Sequence, residues 1–217
     1  MVSCPYTSLP VSSADTAKPK QALTNDKAAR IVVAMRQCVA NYGAAGATFD
    51  HVAREAGVSR GLLHYYFGSK ERLLIEVVRK ETERLVETIQ LAAQHAGSAE
   101  ELVNVLLAQL QNILDNEPEL YLLAFELIGE ARRHPEIGNE VAEYNRRTRG
   151  QFAEILEGLQ QKGSISLRHS PLATASALLA MANGLALEMF QDPVSDHDAC
   201  VEADVDAALY MLGAERV

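Results

Sequence analysis

Apolar residues recur along most of this chain at steps of three and four, the spacing that places side chains on one face of an α-helix. The first such stripe consists of Ile31, Ala34, Met35, Cys38, Val39 and Tyr42, and it stops at Gly43. Two short helices are predicted next, over residues 49–56 and 60–67. Later stripes cover about 71–95, 99–115, 118–133, 136–162, 170–191 and 197–213. The pattern predicts an all-α fold.

The two short helices carry local signals that define their ends. Thr48 and Ser59 are good N-cap residues, because their hydroxyl oxygens can accept a hydrogen bond from a backbone N–H in the first turn. Gly57 lies between the helices, where the chain needs a residue that tolerates positive φ. Two short helices joined by such a turn form a helix-turn-helix, whose second helix can enter the major groove of DNA.

A helical wheel of residues 60–67 separates an inward face from an outward face. Leu63 and Phe67 fall together and are expected to pack, with Val58, against the preceding helices. Gly61 and Tyr65 are then expected to point away from the core. Rings at helical spacing are usually core residues, so burial of one ring of the HYY run is the competing interpretation.

The outward face carries side chains suited to DNA. Gly61 lets the helix backbone approach closely, Leu62 suits a thymine methyl group, and Arg60 suits a guanine edge. Phosphate oxygens can accept hydrogen bonds from the rings of His64, Tyr65 and Tyr66 and from the ammonium group of Lys70. The predicted DNA contacts are Thr48, Arg60, Gly61, Leu62, His64, Tyr65, Tyr66 and Lys70.

The charge distribution along the chain agrees with DNA contacts in its N-terminal part. Residues 1–80 hold 11 Lys and Arg against 6 Asp and Glu, whereas residues 81–217 hold 9 against 23, for a formal net charge of -9. A basic N-terminal part can approach phosphates, while an acidic remainder repels them.

The C-terminal part offers weaker predictions for a dimer interface and a ligand pocket. Small residues in the most apolar helix allow another helix to approach closely: Ala173, Ala177, Ala180 and Gly184. Burial in a monomer core is the alternative for this helix. Polar groups interrupting apolar runs suggest a pocket, predicted to include Leu122, Phe125, Glu126, Gly129, Tyr144, Arg147, Phe152, Met181 and Asn183. An outward orientation explains each of these residues equally well.

Other classes of protein are disfavoured. The sequence lacks GxSxG, GxGxxG, HExxH and Walker motifs, and its six histidines form no i,i+4 pair, so we expect no catalytic site, cofactor or metal. Its three separated cysteines fit reduced thiols in a cytoplasm. We expect no signal peptide and no membrane span.

The segment from Thr48 to Leu74 reads T-x3-VA-x2-AGVS-x-G-x6-GSKE-x-LL. With the preceding helix that ends at Gly43, it resembles the DNA-binding head of the TetR family over roughly residues 27–78. His64 departs from the pattern, since many members have tyrosine there, and histidine adds a pH-dependent charge.

The resemblance implies a dimeric transcriptional regulator, most often a repressor, that binds a palindromic operator on double-stranded DNA. A small molecule bound in the helical body, of unknown identity here, releases the DNA. The expected organisation is a disordered arm over residues 1–24, a helix-turn-helix domain over 25–78, and a ligand-binding and homodimerisation domain over 79–217. The alternatives are a helix-turn-helix used for protein contacts and a DNA-binding protein without a ligand.

Overall fold

The computed structural model describes residues 25–214, with side chains described from residue 27, and the predicted N-terminal arm lies outside this range. Every regular element within residues 25–214 is an α-helix, which confirms the predicted fold class. The helices are α1 (Asn25–Gly46), α2 (Phe49–Ala56), α3 (Arg60–Phe67), α4 (Lys70–Ala93), α5 (Ala99–Asn116), α6 (Pro118–Arg133), α7 (Pro135–Gln161), α8 (Pro171–Gln191) and α9 (Asp198–Met211).

The predicted caps set the ends of the short helices. The hydroxyl oxygens of Thr48 and Ser59 each accept a hydrogen bond at 3.3 Å from the backbone N–H three residues later. Ser69 caps α4 in the same way. Gly57 has φ 64°, a left-handed conformation in which an L side chain is strained, and this turn sets the angle between α2 and α3.

Two apolar clusters hold the helices together. The first contains residues of α1, α2, α3 and α4 and extends into α6 and α7. Its fully buried large residues are Ile31, Met35, Val39, Val52, Leu63, Leu73, Val77 and Leu123. The second joins the C-terminal half of α4 to α5, α7, α8 and α9. Because α4 contributes to both clusters, the predicted boundary at residue 78 falls inside one continuous helix.

The C-terminal end of α1 differs from the predicted stripe. Tyr42 was expected on the apolar face, but its side chain is exposed and its ring lies 4.8 Å from the ring of His51. Gly43 has φ 69° and kinks the helix there, so the last regular turn ends beside the start of α2. The aromatic contact explains why an exposed tyrosine lies at this position.

Helix α8 corrects the expectation that no segment resembles a membrane span. Its 21 residues include one charged side chain, Glu188, and by length and composition alone the helix could cross a bilayer; only 22% of an 18-residue window of this helix is buried. It nevertheless packs against α7 and α9 and contributes Ala175 to the second cluster. Much of its apolar surface therefore faces outward from the subunit.

Candidate nucleic-acid interface and cavity

The orientation of α3 is the one that the helical wheel predicts. Leu63 is fully buried, and Val58 and Phe67 pack against the same cluster. Tyr65 is 50% exposed, and Gly61 is exposed. The helix therefore presents its polar rings and its glycine on the outer surface of the head, where no other element of the described chain covers them.

Arg60 begins α3 and is held by the neighbouring helix. Its Nη1 lies 3.2 Å from Oδ2 and 3.3 Å from Oδ1 of Asp50, which stands in the first turn of α2. Both side chains are more than half exposed. The ion pair fixes the direction of the guanidinium group without removing it from solvent, so its remaining N–H groups are available to a base edge.

Gly61 is not required by the packing of the subunit. A Cβ atom built at this position would meet only the Ser59 hydroxyl oxygen, at 4.0 Å, which is an ordinary contact. Its φ is not in the left-handed region that favours glycine. The missing side chain therefore leaves open space on the outer surface of α3, as close approach of another molecule would require.

His64 is oriented by two contacts. Its ring meets the edge of Phe49 with centroids 4.8 Å apart, and Nδ1 lies 3.2 Å from the carbonyl oxygen of Gly68. Because a carbonyl oxygen only accepts, Nδ1 must carry the proton in this hydrogen bond. In the neutral ring Nε2 is then an acceptor, and only a ring protonated on both nitrogens can donate from Nε2 to another group. Tyr65 and Tyr66 pack edge to face, with centroids 4.9 Å apart.

Lys70, at the N-terminus of α4, links that helix to the end of α1, just ahead of the N-terminus of α2. Its Nζ donates a hydrogen bond at 3.0 Å to the carbonyl oxygen of Ala45, in the last turn of α1. The ammonium group has further N–H donors, and the two helix N-termini carry partial positive charge. This side of the head is suited to phosphate groups.

A cavity of about 800 Å³ lies in the body among α4 to α9. Of the residues predicted for a pocket, five line it: Phe125, Tyr144, Phe152, Met181 and Asn183. The hydroxyl of Tyr121 donates a hydrogen bond at 2.7 Å to Oδ1 of Asn183 and closes one part of the wall. Burial raises the pKa of Tyr121 well above its usual range, so its hydroxyl stays protonated and remains a donor.

The other four predicted pocket residues lie outside the cavity lining: Leu122, Glu126, Gly129 and Arg147. On α6 the cavity face is formed by six residues: Leu120, Tyr121, Ala124, Phe125, Leu127 and Ile128. At 100° per residue, positions 122, 126 and 129 fall on the opposite side of that helix. Arg147 is exposed and its Nη1 lies 4.0 Å from Oε1 of Glu83.

An ion-pair network joins the head to the cavity wall. Arg36 of α1 contacts Glu81 at 3.0 Å and Glu117 at 2.7 Å, and Arg84 contacts the same two carboxylates at 3.2 and 3.1 Å. Glu81, Arg84 and Glu117 line the cavity. Burial alone would raise the pKa of Glu117, but hydrogen bonds and charge from the two arginines outweigh it and leave the pKa below its usual value. Sequence reasoning missed this network.

The outer face of α8 carries the predicted small-residue stripe. Ala173, Ala180 and Gly184 are exposed, and Ala177 is half-buried. The neighbouring helix α9 exposes three more alanines four residues apart: Ala199, Ala203 and Ala207. The exposed stripe of α8 consists of small side chains that no element of the described chain covers, whereas on α9 the exposed alanines lie beside the exposed acidic residues Glu202 and Asp206. Within residues 25–214, no group of three His, Cys, Asp or Glu side chains is arranged to hold a metal ion.

The sequence matches two family descriptions. Residues 31–77 match bacterial regulatory proteins of the tetR family, and residues 98–213 match the C-terminal domain of BetI-type transcriptional repressors. The HTH-type transcriptional regulator BetI of Rhizobium meliloti (strain 1021) is 30% identical over 65% of this chain and 68% of its own length. The regulator of the same name from Agrobacterium fabrum is 29% identical over 68% of this chain and 80% of its own.

Solved structures share the fold at lower identity. A transcriptional regulator from Rhodococcus sp. RHA1 has a TM-score of 0.69 at 18% identity, covering 86% of this chain and 95% of its own. The regulator FadR from Bacillus subtilis, solved in complex with stearoyl-CoA, has a TM-score of 0.65 at 17% identity, covering 87% and 99%. These matches agree with the helical arrangement described above.

Proposed function

The chain belongs to the TetR family of helix-turn-helix transcriptional regulators, and we propose that it binds a palindromic operator as a homodimer and releases it when a small molecule occupies the cavity. On this proposal it is a repressor without catalytic activity and acts in the cytoplasm. The observation that carries the proposal is the orientation of α3, with Leu63 buried and Gly61, His64 and Tyr65 exposed.

The proposed DNA contacts divide into two kinds. Arg60 and Leu62 stand at the start of α3 and address base edges, while Thr48, Tyr65, Tyr66, Lys70 and the imidazolium form of His64 address phosphates. Gly61 allows the helix to approach the groove. The Asp50 carboxylate supports this division, because it orients Arg60 while leaving the guanidinium group exposed.

The proposed dimer uses the outer face of α8 and α9. Small side chains at Ala173, Ala177, Ala180 and Gly184 let a second copy pack closely, so that the four helices of two subunits form a bundle. Two heads must be about 34–36 Å apart to reach successive major grooves, which requires a fixed dimer. The low burial of α8 within one subunit supports this assignment.

The proposed effector site is the cavity among α4 to α9. Its volume of about 800 Å³ lies within the range of about 300–1,000 Å³ typical of small-molecule sites. FadR from Bacillus subtilis, with stearoyl-CoA bound, has the same fold, which supports a ligand-holding body. A ligand that prefers one spacing of the heads changes operator affinity by its differential binding, commonly about 1–3 kcal/mol.

The test is recovery of DNA fragments that the purified protein retains from the genome of its source organism. We expect a small set of fragments sharing a palindromic sequence. Affinity for a duplex carrying that sequence should fall steeply as salt rises, because phosphate contacts release counterions. Retention of random fragments, or binding that does not depend on salt, would instead support a helix-turn-helix used for protein contacts.

A further inference from the structure

The charges that line the cavity are not all balanced by one another. Five charged side chains contribute to its wall: Glu81, Arg84, Glu117, Arg149 and Asp204. The first three belong to the ion-pair network with Arg36, in which two arginines face two glutamates. The charges of these four side chains therefore cancel. The unbalanced charges are therefore those of Arg149 and Asp204.

The side chain of Arg149 is exposed where it borders the cavity, and it forms no ion pair and no side-chain hydrogen bond with any residue in the described range 25–214. The other arginines of the same run do have partners, since Arg146 contacts Glu143 at 2.7 Å and Arg147 approaches Glu83. Arg149 differs from them by its position. It follows Asn145 by one turn on the stripe of α7 that faces the cavity. A guanidinium group with five N–H donors is thus left for a ligand.

Most of the remaining wall is aliphatic. The leucine, isoleucine and valine side chains that line it come mainly from α4, α5 and α8: Ile75, Val78, Leu85, Ile89, Val103, Leu106, Leu107, Leu110, Ile113, Leu178, Leu179 and Leu185. An apolar surface of this extent is stabilised by an apolar ligand, at roughly 25 cal/mol for each Å² removed from water. A small polar ligand would leave it unfilled.

We propose that the effector is an anionic amphiphile whose carboxylate or phosphate head is held by Arg149 and whose apolar tail fills the aliphatic part of the cavity. This inference rests on the proposed function, in which the cavity is the effector site. Guanidinium groups bind both kinds of anionic head through paired N–H donors. Asn145 adds an amide donor one turn away. Its side chain also lines the cavity and has no hydrogen bond with the described residues.

The competing ligand class is a cationic amphiphile held by Asp204. This carboxyl group lies on α9, and burial raises its pKa with a further contribution from the nearby charge of Glu188. Asp204 offers one acceptor group in a region that already carries negative charge, whereas Arg149 offers a planar set of donors. The two classes place opposite charges at different helices, so a matched set of ligands distinguishes them.

The experiment follows thermal unfolding of the full chain by circular dichroism at 222 nm, which suits an all-helical protein without tryptophan. The probes share a twelve-carbon chain and are used below their micelle concentrations: dodecanoate, dodecyl phosphate, dodecanol and dodecyltrimethylammonium. A ligand that binds only the folded state raises Tm according to its concentration relative to Kd. We expect the two anions to raise Tm more than dodecanol does, and the cation to have the smallest effect. The ratio between the two anions shows which head the site prefers.

The decisive variant is Arg149→Gln, with Arg146→Gln as the matched control outside the cavity. Loss of a charge-assisted contact should weaken binding of both anions by about tenfold or more and leave dodecanol unchanged. Arg146→Gln should bind all probes as the wild type does. If Arg149→Gln lowers helicity without ligand, Arg149→Lys keeps the charge and should bind the anions with intermediate affinity.

Three outcomes would overturn the proposal: equal anion binding by Arg149→Gln and the wild type, tighter binding of the cation than of the anions, or no binding of any probe. These melting experiments contain no DNA. Retention of genomic fragments without anion binding would therefore reject the ligand class alone. Anion binding by a protein that retains no specific DNA would reject the proposed function alone.

Discussion

Gly61 is a position where folding and the proposed DNA contact make opposite demands. Glycine inside a helix is less stable than alanine by about 0.5–1 kcal/mol, and nothing in the subunit lies close enough to exclude a Cβ atom. We predict that Gly61→Ala raises the free energy of unfolding by about that amount, yet weakens binding to the operator. Urea denaturation and a binding titration measure the two effects separately. A variant that is both more stable and equal in affinity would show that α3 does not approach DNA at this residue.

Arg60 and Lys70 are predicted to act differently on sequence preference. Arg60→Ala should relax preference at one base pair, with a loss of about 1–3 kcal/mol on the operator, whereas Lys70→Ala should weaken operator and scrambled duplexes alike. Binding of both duplexes by each variant is the measurement. The assignment of Arg60 to a base edge and Lys70 to phosphates is wrong if both variants lower the affinities for the operator and the scrambled duplex in the same proportion.

Asp50 provides an independent test of how Arg60 is oriented. We predict that Asp50→Asn reduces discrimination at the same base pair as Arg60→Ala, because the guanidinium group loses the ion pair that directs it. Affinity for scrambled DNA should rise slightly, since a negative charge near phosphates is removed. The double variant Asp50→Asn/Arg60→Ala should discriminate at that base pair no worse than Arg60→Ala alone. Additive losses would mean that Asp50 acts on DNA without Arg60.

Sequence patterns located the side chains of α3 better than those of the cavity. Residues 60–67 mix polar and apolar positions, so a helical wheel has a defined inward face at Leu63 and Phe67. Helix α6 begins with PELYLLAF, in which apolar residues occur on every side. The pattern therefore does not fix its rotation, and Leu122 was predicted to face the cavity although Tyr121 does.

The short helices were predictable because their signals are local. Each of the three caps acts on a backbone N–H only three residues away, and Gly57 acts on the turn in which it stands. The network of Arg36, Glu81, Arg84 and Glu117 joins three separate segments of the chain. No spacing rule relates Arg36 to Glu117, so this link between α1 and the start of α6 required the structure.

The same network predicts a pH dependence of stability. The pKa of Glu117 in the folded protein is lowered, so its contribution to stability is present above the pKa of the unfolded chain and is lost as pH falls through the folded value. We expect the free energy of unfolding to decrease below about pH 4.5, the ordinary value for a glutamate. Glu117→Gln should be less stable at pH 7 and should show a shallower decrease in acid.

Denaturant unfolding between pH 7 and pH 3.5 measures this effect. Glu87→Gln is the matched control, because Glu87 is an exposed glutamate of α4 that has no ion pair within residues 25–214. The control should follow the wild-type curve. A Glu117→Gln curve parallel to that of the wild type would show that this carboxylate does not contribute to the acid loss.

The uncovered outer face of α8 and α9 is the surface through which we propose that two subunits assemble. We predict that Gly184→Glu converts the dimer to monomers, since it places a charge in the centre of the proposed interface. Within the subunit the new side chain has space, because no atom lies within 4 Å of a Cβ built there. Gly150→Glu on α7 is the matched control, with equally open space around its Cβ. Analytical ultracentrifugation should give monomers for the first variant and dimers for the second.

The general arrangement was predictable because helices with one apolar stripe have few ways to pack. The distribution of charge along the sequence also separates a basic N-terminal part from an acidic C-terminal part. The size of the cavity was not predictable, because it depends on how six helices diverge around it. The continuity of the first core from α1 into α6 was equally hidden, since its residues lie about 100 positions apart.

Helix α4 has a mechanical consequence. It begins at Lys70 beside the turn before α2, and its later turns form part of the cavity wall. From Glu81 to Lys70 the axis runs about 16 Å, at 1.5 Å per residue. A rigid rod of that length tilted by about 10° moves its far end by about 3 Å. On the proposed function, a ligand that tilts α4 by about 10° would therefore displace its Lys70 end, on the proposed DNA-facing side, by about the length of one hydrogen bond, and in a symmetric dimer the two displacements would add.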